Sequence, residues 1–227
     1  MSRVAATFLV VIALVFLADA AMYIVLGTDG ALDHVARTVS AIYPTVDGIV
    51  ALPLIEHDRI LFRARPVATY LHVILAPLAL AIGLLQLWPT LRARHPAVHR
   101  WTGRLFTVAV AVSVPAGMAL SVDEYGGRVA TFGFFGMGVT TLVCLTMGIL
   151  AILRRDRARH REWMIRTYAV LWSSSVGFRL LIILVIPLIA ETPLPGGFRE
   201  PYLAFIYISW PAGLLFADIY LSRTARA

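Results

Sequence analysis

Three ionisable side chains lie inside long apolar stretches of this sequence: Asp19, His72 and Arg179. A charge near the centre of a bilayer costs roughly 2.5–3.5 kcal/mol on insertion scales, so such residues normally turn inward and find partners. We expect the three to form one polar cluster toward the same face of the membrane, suited to binding a proton or an anion. The alternative is a structural Asp–Arg pair, with His72 hydrogen-bonded to a backbone carbonyl.

Two further histidines, His99 and His160, lie at matching positions in basic segments, and each is followed by an arginine. Imidazole is the usual axial ligand of haem b between helices, so the pair predicts a bis-histidine haem site. His72 with a methionine such as Met118 is a further candidate ligand pair. Simple contact of both histidines with lipid headgroups is the alternative. Nearby arginines suit haem propionates or other anionic groups: Arg100, Arg104, Arg161 and Arg166.

Other chemistry is poorly supported by the sequence. His34 and His57 have no HxxxH, HExxH or CxxC spacing around them, so no metal site is expected beyond a haem iron. The lone Cys144 excludes an intramolecular disulfide. The run Ser173–Ser175 is typical of serines that bond to their own helix rather than of a nucleophile. The identity of any catalytic residue stays unknown.

The chain is far more apolar than a soluble domain of its length. Its 227 residues are 59% hydrophobic and 15% charged, with a mean hydropathy of +0.81. This composition predicts an all-α, polytopic membrane bundle that forms a single transmembrane domain, residues 1–227. Each of six apolar runs has about the length of a spanning helix: Ala5–Leu26, Val67–Pro89, Thr102–Val122, Val129–Leu153, Met164–Ala190 and Tyr202–Leu221.

The basic residues predict the orientation of the spans. The net charge is +7, and arginine supplies every basic residue apart from histidine. The arginines crowd between spans two and three, between spans four and five, and after span six, which the positive-inside rule makes cytoplasmic. Both termini are therefore expected in the cytoplasm, and nucleic-acid binding is not expected. The absence of lysine and asparagine indicates a GC-rich bacterial genome, hence a bacterial cytoplasmic (inner) membrane.

Two segments allow more than one interpretation. Gly27–Pro66 is expected outside, and its apolar positions have a helical spacing that predicts one or two short surface helices. An ordered loop without function is the alternative. Met1–Ala20 resembles a cleaved signal peptide, with Ala18-Asp19-Ala20 as the cleavage site. We favour an uncleaved first span, because the apolar run continues to Leu26.

Spans two to five resemble a duplicated helical hairpin. In both halves a basic turn leads into a histidine-arginine pair that opens the next span, at His99–Arg104 and at His160–Arg166. Such repeats would be related by an axis along the membrane normal. In span four, Gly136, Thr140, Cys144 and Gly148 form a stripe of small residues, which permits close packing within the monomer or in a homo-oligomer.

The same residues carry a family resemblance. His72, Gly83 and Gln86, the run His99–Arg104, the run His160–Ala169 and Arg179 resemble the pattern of the uncharacterised membrane family DUF2306. The resemblance covers about Val67–Arg179 and implies a bacterial membrane protein without an established activity. Phe106 stands where this family pattern has a tyrosine, and span four lacks an expected tryptophan.

Three functions are compatible with these patterns. The first is a haem b protein that exchanges electrons with a quinone or a membrane redox partner. The second is a proton- or anion-coupled transporter that uses Asp19, His72 and Arg179. The third is a non-catalytic membrane assembly subunit. The paired histidines place the redox function slightly ahead.

Overall fold

A computed structural model describes residues 3–42, 52–177 and 199–224. These ranges are helical and contain no strand, which confirms the all-α class for the described part of the chain. In chain order the helices are α1 (Arg3–Ile42), α2 (Leu52–Ala64), α3 (Pro66–Gln86), α4 (Pro89–Arg94), α5 (Pro96–Leu120), α6 (Arg128–Leu153), α7 (Arg157–Trp172), which continues into a π-helical turn (Ser173–Gly177), and α8 (Arg199–Thr224).

Five of the described helices are long and apolar enough to cross a membrane: α1, α3, α5, α6 and α8. They correspond to five of the six predicted spans, although α3 ends at Gln86 and α5 at Leu120, before the predicted ends Pro89 and Val122. The remaining predicted span, Met164–Ala190, begins within α7. The structure describes it only as far as Gly177, and the rest of the span lies outside the described residues. The count of six therefore stays a prediction.

Prolines fix where three of the helices begin. Pro66, Pro89 and Pro96 occupy the start of α3, α4 and α5, where a missing backbone N–H costs no hydrogen bond. Because α5 starts at Pro96 rather than at Thr102, the whole run His99–Arg104 is helical. The side chains of the histidine and the arginines of this run therefore point in directions that are fixed by the helix.

Helix α1 does not stop at the end of its apolar part. Gly27 has a φ of 69° and a ψ of 178°, and the helix resumes directly after it and runs to Ile42. Glycine reaches this positive φ without a steric penalty. The predicted surface segment thus contains the last part of α1 and the whole of α2, while residues 43–51 lie outside the described ranges.

The chain divides into two compact units, and the first comprises Met1–Val39 and Ile55–Leu120. In this unit α3 and α5 form a hairpin joined by the short α4. Its interior contains Leu80, Phe106 and Val110, which are almost fully buried. Thr69 and Ser113 are buried as well, so the pair of helices has a partly polar interface.

The second unit comprises Ser40–Leu54 and Ser121–Ala227, and α6, α7 and α8 pack together in it. Small residues allow these helices to approach closely. A β-carbon at Gly133 would collide with Ile206, and one at Gly213 would lie 2.7 Å from the backbone oxygen of Ala169. Gly148 similarly faces the sulfur of Met164. Within this unit, the predicted role of Gly148 in close helix packing is confirmed.

Candidate functional site

His72 is held between α3 and α5 of the first unit. Its Nδ1 lies 2.9 Å from the backbone oxygen of Ser113. A carbonyl oxygen only accepts, so Nδ1 carries the proton and donates it. A β-carbon at Gly117 would lie 2.7 Å from both Nδ1 and Cε1 of the ring. Glycine at this position therefore makes room for the imidazole against the backbone of α5.

The two prolines near His72 do not end their helices. Pro77 lies inside α3 and Pro115 inside α5, and both helices continue through them. Each proline removes the N–H that would bond to the carbonyl four residues earlier, at Val73 and at Ala111.

The predicted outer cluster is only partly described. Asp19 lies on α1 in the same compact unit as His72, and its side chain is exposed. Arg179 lies outside the described residues, so its place beside the other two stays a prediction. The carbonyl contact of His72 is the one expected for a structurally satisfied histidine, and it also fixes which ring nitrogen can accept a proton.

A second polar cluster joins the other ends of α3 and α5. With its amide nitrogen turned toward His99, Gln86 donates to Nδ1 of that ring at 2.9 Å and to its backbone oxygen at 3.2 Å. Its amide oxygen then accepts from the Thr102 hydroxyl at 2.5 Å and from the Gly103 N–H at 3.2 Å. The two backbone groups decide this orientation of the amide, because the His99 oxygen can only accept a hydrogen bond and the Gly103 N–H can only donate one. Nδ1 of neutral His99 is therefore an acceptor, and its proton is on Nε2.

His160 has the opposite arrangement in the second unit. Its Nδ1 lies 2.8 Å from the backbone oxygen of Gly148 on α6. Nδ1 therefore donates, and Nε2 keeps its lone pair. This contact ties the start of α7 to the end of α6, at the level where Met164 packs on Gly148.

These hydrogen bonds test how well each histidine fits haem. A histidine that binds iron through Nε2 keeps its proton on Nδ1 and donates it to a backbone or carboxylate oxygen. His160 and His72 meet this requirement, whereas His99, as bonded to Gln86, does not. Among the residues that the structure describes, no group of three His, Cys, Asp or Glu side chains is placed to hold a metal ion.

The arginines predicted to contact anionic groups differ in their surroundings. Arg166 donates to Asp218 on α8 at 2.8 Å and lies 3.9 Å from Glu162. Arg161 donates to the Tyr220 hydroxyl at 3.4 Å. Arg100 and Arg104 are exposed on α5. The ion pair of Arg166 with Asp218 joins α7 to α8.

Arg104 stacks on an aromatic ring instead of pairing with a carboxylate in the described contacts. Its guanidinium carbon lies 4.7 Å from the ring centroid of Trp101. A cation over an indole face is stabilised by the ring quadrupole, and such pairs are common at membrane interfaces, where tryptophan is enriched.

An ion-pair cluster between α1 and α2 was not predicted. Arg59, whose side chain is only 14% exposed, donates to Asp33 at 2.7 Å, to Asp29 at 3.3 Å and to Glu56 at 3.2 Å. Arg63 makes a two-pronged contact with Asp29 at 2.9 and 2.8 Å. Charge counts alone did not indicate which carboxylates of Gly27–Pro66 pair with which arginines.

Two buried indole groups in the second unit are also unexpected. Nε1 of Trp210 is inaccessible and has no hydrogen-bond partner within the described ranges, whereas Nε1 of Trp172 is inaccessible but its ring makes an edge contact with Tyr168. Trp172 ends α7 just before the π-helical turn, and Trp210 lies beside Gly136 of α6. A buried donor without a partner, as at Trp210, has an energetic cost.

The long apolar helices, together with polar side chains bonded between them, define a polytopic helical membrane protein. The chain belongs to the DUF2306 family of predicted membrane proteins, whose sequence profile matches residues 69–221. This range begins in α3 and ends in α8, and it includes His72, His99 and His160.

A curated relative is the Ava biosynthesis cluster protein G of Aspergillus versicolor. It is 29% identical over 135 residues, which cover 45% of this chain and 39% of the relative. The chain thus spans about two fifths of the length of that relative. No solved structure matches the chain.

Proposed function

We propose that the protein is a proton-coupled transporter of a small solute and that His72 binds the proton. The observation that carries this proposal is the 2.9 Å contact that holds Nδ1 of His72 on the Ser113 carbonyl, between two candidate spanning helices. Imidazole changes its charge between pH 5 and 8, the range that a proton carrier needs. Because Nδ1 already donates, the transported proton enters and leaves at Nε2.

Protonation of His72 changes two interactions. The Nδ1–H bond to Ser113 becomes charge-assisted and therefore stronger. The imidazolium also needs a compensating anion inside the bilayer, because an isolated charge there is costly. We assign this role to Asp19, and we assign recognition of an anionic solute group to Arg179. Proton binding and solute binding then depend on each other through neighbouring charges.

The test uses purified protein in liposomes that contain the pH indicator pyranine. Gradients of nitrate, sulfate and phosphate are applied one at a time, with the membrane potential clamped by potassium and valinomycin. We expect an internal pH change with at least one anion, and its loss in His72→Gln. His95→Gln is the matched control, because His95 is exposed beside α4. Equal proton movement in His72→Gln and the unchanged protein would contradict the proposal.

A second candidate function is haem b-dependent electron transfer, and the contact of His160 with the Gly148 carbonyl favours it. This contact leaves Nε2 of His160 able to serve as an axial ligand. A bound haem would supply one-electron chemistry, with a quinone or a membrane protein as the electron partner. The redox function ranks second here, because His99 would have to give up its hydrogen bond from Gln86 to become the other ligand.

An absorption spectrum separates the two candidate functions. Protein expressed with ample haem and purified in detergent should show a Soret band that shifts on reduction if haem is the cofactor. His160→Ala should weaken or shift this band, while His95→Ala should leave it unchanged. A colourless protein would remove this second candidate and leave the transport proposal untouched.

We place the activity in a bacterial cytoplasmic membrane, with six spans, both termini inside and Gly27–Pro66 outside. The distribution of arginines supports this orientation. We also infer a duplicated hairpin. In the first hairpin Gln86 contacts Gly103, and in the second Gly148 contacts Met164, so a glycine faces a long side chain in both. The histidine that opens the second helix of each hairpin bonds to the end of the first helix.

A further inference from the structure

An open apolar groove of about 630 Å³ runs between α3 and α5 on the surface of the first unit. Its walls include Val67 and Leu71 of α3, together with Ala111, Val112 and Pro115 of α5. Val67 is 72% exposed and Leu71 39% exposed, so the groove opens outward rather than into the helix interface. On a candidate pair of spanning helices, such a surface meets lipid.

One end of the groove carries a positive charge. Arg65 is the residue that precedes α3, and it lines the groove beside Pro66. A guanidinium at the end of a spanning helix lies at the level of lipid headgroups, where it can bind a phosphate through two parallel hydrogen bonds. The apolar walls suit an acyl chain, and the single cation beside them suits the phosphate of a phospholipid headgroup.

We propose that this groove binds one anionic phospholipid, with an acyl chain between α3 and α5 and the phosphate on Arg65. The site is independent of the transported solute. It is nevertheless adjacent to the proton site on the same helix, because Ala111, Val112 and Pro115 line the groove while Ser113 and Gly117 hold His72. The acyl chain supports the segment of α5 in which Pro115 has removed a backbone hydrogen bond.

Lipid binding to the full chain is measured by native mass spectrometry in detergent, with phosphatidylglycerol and phosphatidylcholine of identical chains as probes. We expect one phosphatidylglycerol to be retained more strongly than phosphatidylcholine. Arg65→Gln should reduce this preference about fivefold, the effect of one cationic side chain near the headgroups. Arg128→Gln is the matched control, since Arg128 is an exposed arginine that begins α6 outside the groove.

The apolar part of the site is tested by filling it. Ala111→Trp places a large side chain in the groove from an exposed position and should weaken retention of both lipids; Val67→Trp does the same from α3. Ala119→Trp is the control on α5, at an exposed position that does not line the groove. If Arg128→Gln matched Arg65→Gln, or if neither groove-filling variant differed from Ala119→Trp, the site would be refuted.

Discussion

At the scale of single residues, the contact between His72 and Gly117 leaves no room for a β-carbon. Gly117→Ala forces the ring or the α5 backbone to move, and overpacking of this kind typically costs about 1–3 kcal/mol. We expect a clearly lower melting temperature in detergent. Gly136→Ala is the control, because its β-carbon would meet Trp210 at an ordinary 3.4 Å. Equal melting temperatures for the two variants would show that His72 is not held as described.

The unpaired indole of Trp210 gives a second prediction. Phenylalanine at this position removes a buried donor that lacks a partner, a gain of about 1–3 kcal/mol that offsets lost packing. Trp210→Phe should melt close to or above the unchanged protein. Tyr202→Phe should melt lower, because that hydroxyl donates to Glu124 at 2.9 Å. A large loss in Trp210→Phe would indicate that this N–H has an acceptor.

The sequence indicated His72 and His160 as candidate site residues, but it did not indicate which backbone oxygens they contact. His72 and His160 could be selected because a polar group in or beside an apolar run is energetically costly, so it usually has a bonding partner or a function. Their partners are the backbone oxygens of Ser113 and Gly148, and a backbone oxygen has no residue type to recognise. Gly117 could have been noticed, since it lies four residues after Ser113, on the same face of α5.

At the scale of helices, the ion pairs between α1 and α2 predict a pH dependence. The Arg63 guanidinium lowers the pKa of the Asp29 carboxyl below its ordinary value of 3.8. Because the carboxyl has a lower pKa in the folded protein, the ion pair contributes its full stability when the pH is above the ordinary pKa. This stability is lost as the pH falls through the pKa of the folded protein. Protection of residues 28–38 against hydrogen exchange, taken relative to the intrinsic exchange rate at each pH, should therefore fall below about pH 4.

Asp29→Asn isolates that effect. The variant should exchange faster at neutral pH and lose the acid-dependent step in residues 28–38. Asp123→Asn is the control, because Asp123 lies in the turn before α6 and in the other compact unit. An unchanged acid-dependent step in Asp29→Asn would assign the pH dependence to another group.

The π-helical turn interrupts the α-helical spacing of the fifth predicted span, Met164–Ala190, within the described residues. The turn Ser173–Gly177 follows α7 directly, and its i to i+5 hydrogen bonds accommodate an extra residue. The α-helical spacing therefore does not carry past Trp172. Three consecutive serines gave no sequence signal for this change, because their hydroxyls can bond to an α-helix as well.

At the scale of the whole molecule, the arginine distribution predicts a topology that a reporter fusion can test. A fusion after Ala227 should be active only with a reporter that works in the cytoplasm. A truncated fusion after Ala64, within the segment predicted outside, should give the opposite result. Activity of the Ala227 fusion outside the cytoplasm would reverse the orientation and would place His72 near the cytoplasmic face.

The span bounds were largely predictable, because bilayer thickness fixes the length of an apolar helix. The apolar span that includes most of α5 begins at Thr102, whereas the helix begins at Pro96, because hydropathy does not register the arginines and histidine that extend the helix outward. Gly27 interrupts α1 directly after the predicted first span, and the chain then continues as a helix to Ile42, in the segment where short helices were predicted. Hydropathy thus locates the lipid-embedded part of a helix but not its full length.

The π-helical turn has a consequence for how this protein tolerates changes in chain length. A π turn behaves as a one-residue insertion into an α-helix, and here it coincides with three identical side chains. Deletion of Ser174 shortens the chain by one residue while a serine remains on each side. Such a deletion would convert the described turn into a regular α-helical continuation of α7, and the chemistry of the side chains that flank the deleted position would stay the same.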